Sequence, residues 1–475
     1  MDAKSLSLLS CLAVVVCLFV QRRVIFSWSI IGVFFITNLV IIVSGSLLLP
    51  FILPMAQYQF SVYDWSLITD EDLQWTIILN AGGVVLVLLF YQLSHFISKR
   101  GTFVKRAPNL LLSIPSTRVG FAPGRLFLFI WATLIFLAVF YLFNFSIILH
   151  GILDGILAGN NSQVIAGRYG VMENYIFILV IYNVVPFLAV ALWLLYRVRR
   201  SNILRFCTIS FNIIAIISLI LLFQKRPLLL FLLCLCIASF ATNQLKTQKT
   251  LYRVNRSFSM KRSNRSSFKK LFIYGVILFA ILMGLYYAQT SVGRDNESLY
   301  ETVTILSTIA AWNIIGGLSL PSVMYVHYFP TIEPYYGLSN IKLLSNLLGF
   351  ELYLNANRVY QYFALGKEEG ALALSALMDF YGSFGLIGWF LGAALIGILL
   401  NRLDDYLARM QPNGSKILLT IFMFVFAYYL SHASLANSLL GYGGGIFVLL
   451  WVALKMNFRV VKQPVRHASS VRSTA

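Results

Sequence analysis

Eleven apolar runs, nearly all long enough to cross a hydrocarbon core about 30 Å thick, leave this chain little choice of fold. They lie at roughly 5–20, 24–54, 73–94, 126–148, 174–196, 206–223, 227–242, 271–290, 382–400, 417–437 and 441–458. In lipid every backbone N–H and C=O must find its partner within the protein, and for runs of this length that means α-helix. The composition agrees, with 59% hydrophobic residues, 11% charged residues and a mean hydropathy of +0.80. The expectation is an all-α polytopic membrane protein with about eleven transmembrane helices. Residues 1–290 hold the first eight spans with short loops, 291–381 form one large loop, and 382–475 hold the last three spans and a basic tail.

Charge sets the expected orientation. Of the 37 lysines and arginines, 29 fall at Arg22 and Arg23, in 95–125, 197–205, 243–270 and 401–416, and after 454, in company with only Asp404 and Asp405. The alternate connections hold the other 8 basic residues and 15 of the 17 acids. Positively charged short loops stay cytoplasmic, so the N-terminus is expected outside and the C-terminus inside. The first apolar run is followed by Gln21, Arg22 and Arg23, where a signal peptidase would need small residues, and is read as a retained span.

The formal charge of +20 does not imply nucleic acid. Its densest stretch, Lys261, Arg262, Arg265, Lys269 and Lys270, is a basic loop between spans, which fixes topology and rests against anionic headgroups. The cysteines, Cys11, Cys17, Cys207, Cys234 and Cys236, all lie in apolar runs without the spacing of a metal site, and no metal or other cofactor is expected. Gly-rich phosphate loops, HExxH and nucleophile elbows are absent from the sequence. Chemistry must come from scattered residues brought together by folding.

The expected extracytoplasmic side supplies the candidates. Gln224-Lys225-Arg226-Pro227 separates two apolar runs and reads as a tight hairpin with Pro227 opening the next helix. Cations at a helix N-terminus are disfavoured by about 0.3–1 kcal/mol, and an anion between the free N–H groups, Lys225 and Arg226 reverses that sign. Arg168 sits between Gly167 and Gly170, Arg294 follows a span end, and Arg358 lies deep in the large loop. Ordinary ion pairs with Glu173, Asp295, Glu297 or Glu351 are the structural alternative for these three. His327 and Asp379 are candidate proton-transfer groups, with helix capping the alternative for Asp379.

Within the large loop, Val303 to Val326 is uncharged but interrupted by Gly316, Gly317 and Pro321, and is expected to be re-entrant or surface-lying. Ile341, Leu344, Leu347 and Leu348 recur at helical spacing, as in a helix lying along the membrane surface. Tyr325, Tyr328, Phe329, Tyr335, Tyr336, Tyr353, Tyr360, Tyr362 and Phe363 make the loop rich in flat rings, which suit sugar faces and membrane interfaces alike.

This architecture resembles the bacterial O-antigen polymerases of the Wzy type, the oligosaccharide repeat unit polymerases. The local likenesses are Gly167-Arg168-Tyr169-Gly170, Gln224-Lys225-Arg226-Pro227 and Asp379-Phe380-Tyr381-Gly382-Ser383-Phe384-Gly385-Leu386-Ile387-Gly388. One departure concerns the family's arginine with a glycine after ten intervening residues: Leu179 stands there for Arg168, and Glu369, one short of Gly370, for Arg358. The resemblance implies a GT-C-like polymerase and ligase architecture and metal-independent glycosyl transfer at the periplasmic face of the bacterial inner membrane. Its substrates would be undecaprenyl-pyrophosphate-linked oligosaccharides, with a chain-length regulator and a flippase as partners. Arg168, Lys225, Arg226, Arg294 and Arg358 would bind the pyrophosphate, and Asp379, Glu173 or His327 would be the base. An O-antigen ligase shares this architecture and donor. A lipid-linked oligosaccharide flippase or transporter is the rival from another class, but it would ordinarily show internal repeats and charges within its spans.

Overall fold

The computed structural model describes residues 2–59, 63–98, 108, 110, 120–148, 150, 175–221, 225–253, 319–340, 348–349, 351–364 and 372–455. Every regular element among them is helical, and one isolated bridge joins Tyr63 to Ala364. Eight helices are long and apolar enough to cross a membrane: Ala3–Val20, Ile30–Phe51, Asp70–Ser98, Pro123–Phe143, Ile176–Arg199, Asn202–Ile220, Ala376–Arg409 and Leu435–Lys455. Two shorter apolar helices, Arg226–Thr242 and Gly414–Tyr429, occupy two more of the expected runs. The run at 271–290 lies outside the described residues. The protein is an all-α polytopic membrane protein.

Short polar side chains start several of these helices by taking up backbone N–H groups that have no partner within the helix. Asp2 accepts from the Ser5 N–H at 3.1 Å, Ser29 from Gly32 at 3.1 Å and Asn413 from Lys416 at 2.9 Å. At the start of Asp70–Ser98, Thr69 and Asp72 cap each other's backbone N–H reciprocally, at 2.8 and 3.2 Å. Two spans carry a π-helical turn in mid-course, Leu39–Val43 and Val180–Val184.

The centre of the bundle is the parallel pair Asp70–Ser98 and Ala376–Arg409. Lipid offers no hydrophobic force to hold two apolar helices together, so close approach and polar contacts must do it. Gly397 lies so near the Val87 carbonyl that an added Cβ would stand 2.6 Å from it, and one on Gly83 would stand 2.9 Å from Trp389 and Leu377. The Trp389 indole donates to the Leu79 carbonyl at 3.0 Å, and Asn401 donates to the Ser94 hydroxyl at 2.8 Å. Below them Asp404, buried, accepts from the Tyr91 hydroxyl at 3.0 Å and from the backbone N–H groups of Ile30 and Ile31 at 2.8 and 3.3 Å. One carboxylate thus locks the central pair to the start of a third span.

The bundle has two chemically different ends. Contacts of Asp70 with Ala3, Asp72 with His327 and Ala376 with Leu430 define one end, which carries the described acids outside Asp404 and Asp405. Contacts of Gln21 with Gln92, Arg125 with Ala453 and Arg197 with Thr242 define the other, where most of the described lysines and arginines gather. A cap covers the acidic end. Its helix Leu320–Tyr328 has nine residues, about 13 Å of rise and too short to cross alone, and is buried along almost its whole length. The helix Asn355–Phe363 packs on it, and the Phe363 carbonyl accepts from the Asp64 N–H at 2.9 Å. Residues 303–318 of the expected re-entrant segment, and 341–347 of the expected surface helix, lie outside the described residues.

Replacing Gly397 by Leu should destabilise the fold by about 1–3 kcal/mol, because the new side chain meets the backbone of Val87 and Tyr91 and the Phe90 Cβ. Asp404→Ala, which leaves a buried hydroxyl and a helix start unpaired, should cost a similar amount, about 1–3 kcal/mol. Thermal unfolding in detergent measures both, and midpoints equal to the parent's would show that the central pair does not govern stability.

Candidate functional site

Asp379 lies in the first turn of Ala376–Arg409, half-buried, under the cap. It does not cap this helix. Ser375 does, accepting from the Met378 N–H at 3.3 Å, which leaves the Asp379 carboxylate for other contacts. The Asn340 amide donates to Asp379 Oδ1 at 2.9 Å and to the Ser383 hydroxyl at 3.1 Å. The Asn340 carbonyl oxygen in turn accepts from the Asn355 backbone N–H at 3.0 Å. Every arm of Asn340 is therefore committed, and it orients the carboxylate. Asn340, just before the amphipathic run at 341–348, is not among the residues that sequence reasoning singles out.

Polar atoms crowd this point without partners. The Tyr325 hydroxyl and both polar atoms of the Asn355 amide are buried, and no described group hydrogen-bonds to them. Burying such groups unpaired costs about 1–3 kcal/mol each, a cost that structures sustain chiefly where water or a ligand supplies the bond. Gly382 makes the arrangement possible, since a Cβ there would stand 2.7 Å from the Tyr325 ring and 3.3 Å from the Asn355 amide nitrogen. Three residues on, Gly385 breaks the helix with φ 67 and ψ −153, a conformation open essentially to glycine alone.

Arg226 lies at the same end, in the first turn of the helix Lys225–Arg253, with its side chain exposed. The helix begins at Lys225, so Pro227 is its third residue and still lacks only an N–H that has no helical partner. Among the described residues no carboxylate pairs with Arg226. Its charge acts instead on Tyr428, His432 and Tyr442. These belong to an aromatic cluster in which Tyr429 stacks on Tyr442 at 4.4 Å and His432 lies 4.6 Å from Tyr428 and 5.1 Å from Tyr429. The sequence placed His432 inside a span at 417–437. The helix in fact ends at Tyr429, where the Ser431 hydroxyl takes the Tyr428 carbonyl at 2.6 Å, and residues 430–434 form a turn. The signal that marks such a turn was available in Ser431-His432, two polar residues near the end of an apolar run.

The second half of this cluster rests on a glycine loop. Asn183, buried in the π-helical turn of its span, donates to the Gly441 carbonyl at 3.2 Å, and Gly443, at φ 89, leaves no room for a Cβ against it. The Ala376 N–H donates to the Leu430 carbonyl at 3.0 Å, so the turn bearing His432 adjoins the helix start bearing Asp379. Arg226 and Asp379 thus belong to two neighbouring clusters at one end of the bundle.

The other candidates separate. His327 Nδ1 lies 2.9 Å from Asp72 Oδ2, and its ring packs edge-on against Phe363 at 5.6 Å. Because Asp72 also caps Thr69, His327 ties the cap to the start of the central span. Arg358 is exposed and pairs with no described carboxylate, Glu351 included; its guanidinium covers the Tyr353 ring at 5.1 Å. Arg168, Glu173 and Arg294, together with the Lys225 side chain, lie outside the described residues. Among the described residues no group of three or more His, Cys, Asp or Glu is placed to hold a metal. No family model, curated protein or solved structure matches the chain.

Gly385→Ala should strain the break in this helix by about 1–3 kcal/mol and drive a methyl group to within 2.9 Å of the Tyr335 ring. Unfolding in detergent should show the loss, and an alanine variant as stable as the parent would mean that the helix can run straight.

Proposed function

We propose that this protein is a glycan polymerase that transfers a lipid-pyrophosphate-linked oligosaccharide chain onto the next repeat unit at the outer face of the cytoplasmic membrane. The observation that carries the reading is the juxtaposition, at the acidic end, of an exposed arginine without a described carboxylate partner and a carboxylate held in place by an amide. The positive-inside rule places the basic end in the cytoplasm and this end outside. The likeness of the sequence to Wzy-type polymerases, and the GT-C-like architecture it implies, point the same way.

The residues divide the work by their chemistry. The donor's C1–O bond to the pyrophosphate breaks while an acceptor hydroxyl oxygen forms the new bond to C1. The leaving diphosphate takes the electron pair, and Arg226, on a helix start whose N–H groups face the same direction, stabilises its charge. Lys225 and, in this reading, Arg168 and Arg294 add to that cationic wall. The hydroxyl proton goes to Asp379, which Asn340 holds in position. His327, engaged with Asp72, serves the cap, which leaves Asp379 the stronger candidate of the two for the base, with Glu173 as the alternative.

Deletion of the gene, complemented with parent or variant and read on a lipopolysaccharide gel, tests this. The parent should restore a ladder. Asp379→Asn should lower turnover by about 10²–10⁴-fold and Arg226→Ala by about 10²–10³-fold, each leaving core that carries a single repeat unit. Loss of all core-linked repeats in the deletion strain would indicate a ligase or a flippase instead, and a ladder indifferent to the deletion would end the proposal.

A further inference from the structure

Beside Asp379 the cap carries an exposed stack of flat groups. The Tyr336 and Tyr353 rings lie 3.6 Å apart at 22°, and the Arg358 guanidinium covers Tyr353 at 5.1 Å from its centroid. Tyr336 is 37% exposed and Arg358 is exposed, so the stack opens to the outside of the fold. It is also joined to the carboxylate through the backbone and Asn340. The Tyr353 N–H donates to the Ser339 carbonyl at 3.0 Å, and the residues next to that pair, Asn340 and Asn355, carry the hydrogen bond that leads to Asp379.

We propose that Tyr336, Tyr353 and Arg358 form the subsite for a sugar ring of the acceptor oligosaccharide, with the ring's reacting hydroxyl directed to Asp379. The assignment rests on the polymerase reading above and adds to it the place and chemistry of acceptor recognition. A pyranose presents an apolar C–H face and an edge of hydroxyls. The first suits an exposed tyrosine face, and the second suits a guanidinium with donors to spare. The neighbouring groups fit the same ligand, because the Tyr353 hydroxyl and the Asn355 amide are buried and hydrogen-bond to no described group.

Two other occupants fit less well. A pyrophosphate calls for several convergent cations, whereas Arg358 is the single described cation of this stack and already faces a ring. Membrane headgroups call for rings turned singly toward lipid, whereas these rings face each other, and the exposed Glu351 two residues from Tyr353 disfavours an anionic surface.

The test is binding, read by saturation-transfer NMR on the full protein in lipid nanodiscs. The probe is a single repeat-unit oligosaccharide released by mild acid from the lipid pyrophosphate of the deletion strain's unpolymerised units. The parent protein should saturate the probe. Tyr336→Ala and Arg358→Ala should each reduce the transfer about five-fold, while Tyr336→Phe, which keeps the ring, should stay within about two-fold of the parent. Comparable unfolding midpoints for the three variants exclude loss of fold as the cause. Absence of transfer to the parent, or equal transfer to Tyr336→Ala, would overturn the proposal. A ladder lost in Arg226→Ala together with normal binding by Tyr336→Ala would remove the subsite and keep the polymerase. Binding that depends on Tyr336, in a strain whose ladder ignores deletion of the gene, would do the reverse.

Discussion

Two helices that must sit side by side in lipid without a hydrophobic force between them set the terms for everything else in this protein. Asp70–Ser98 and Ala376–Arg409 meet that demand with glycine where the backbones approach and with polar contacts at intervals along the seam. At the basic end the seam closes on Asp404, whose two oxygens take two backbone N–H groups and a hydroxyl. At the acidic end it delivers two carboxylates to neighbouring positions of the cap. Asp72 holds His327, and Asp379 is held by Asn340. The same pairing that makes the bundle stable therefore decides where the carboxylates of the outer end stand.

The acidic end departs from the economy of the rest of the fold. Elsewhere several helix starts carry a side-chain cap, and the buried polar atoms without described partners, such as those of Trp193, Asn212 and Thr420, lie on separate helices. Around Asp379, by contrast, a helix breaks at Gly385, and the Tyr325 hydroxyl and the Asn355 amide lie buried without partners among the described residues. Unpaired groups in a low-dielectric setting are costly, and several at one point mark a place shaped for something other than stability. The Arg226 cluster shows the same economy reversed. An exposed arginine stands at a helix start, where the dipole opposes it, with aromatic rings and no described carboxylate around it.

Much of this was legible in the sequence because it depends on local composition. Apolar runs marked ten of the helices now described, and the distribution of Lys and Arg anticipated which helix ends gather together. Arg226 beside Pro227 announced a helix start, and Asp379 before a glycine-rich span announced a carboxylate at its mouth. The rest depends on partners distant along the chain. Asp404 counted only as one of two acids on a basic side, and nothing near it in sequence reveals the N–H groups of Ile30 and Ile31. His327 gave no sign of Asp72, nor Asp379 of Asn340, and no periodicity encodes such meetings. His432 was hidden differently: an apolar run that continues across a turn reads as one span, although Ser431 and Gly443 end one helix and delay the next.

The positions of the cap residues bear on how a single end of the bundle could serve two substrates. In the proposed transfer, an inverting displacement would set the leaving group and the attacking hydroxyl on opposite sides of the reacting carbon, so that cations and base would come from different clusters. The acidic end offers two. Arg226 belongs with the turn after Gly414–Tyr429, and Asp379 belongs with the cap and the start of Ala376–Arg409. The Ala376–Leu430 hydrogen bond fixes the two against each other, while each is built from separate elements. On the proposed reading, changes in the cap would retune which sugar is accepted without disturbing the anion side, whereas a shift of the helix start at Ala376 would move both.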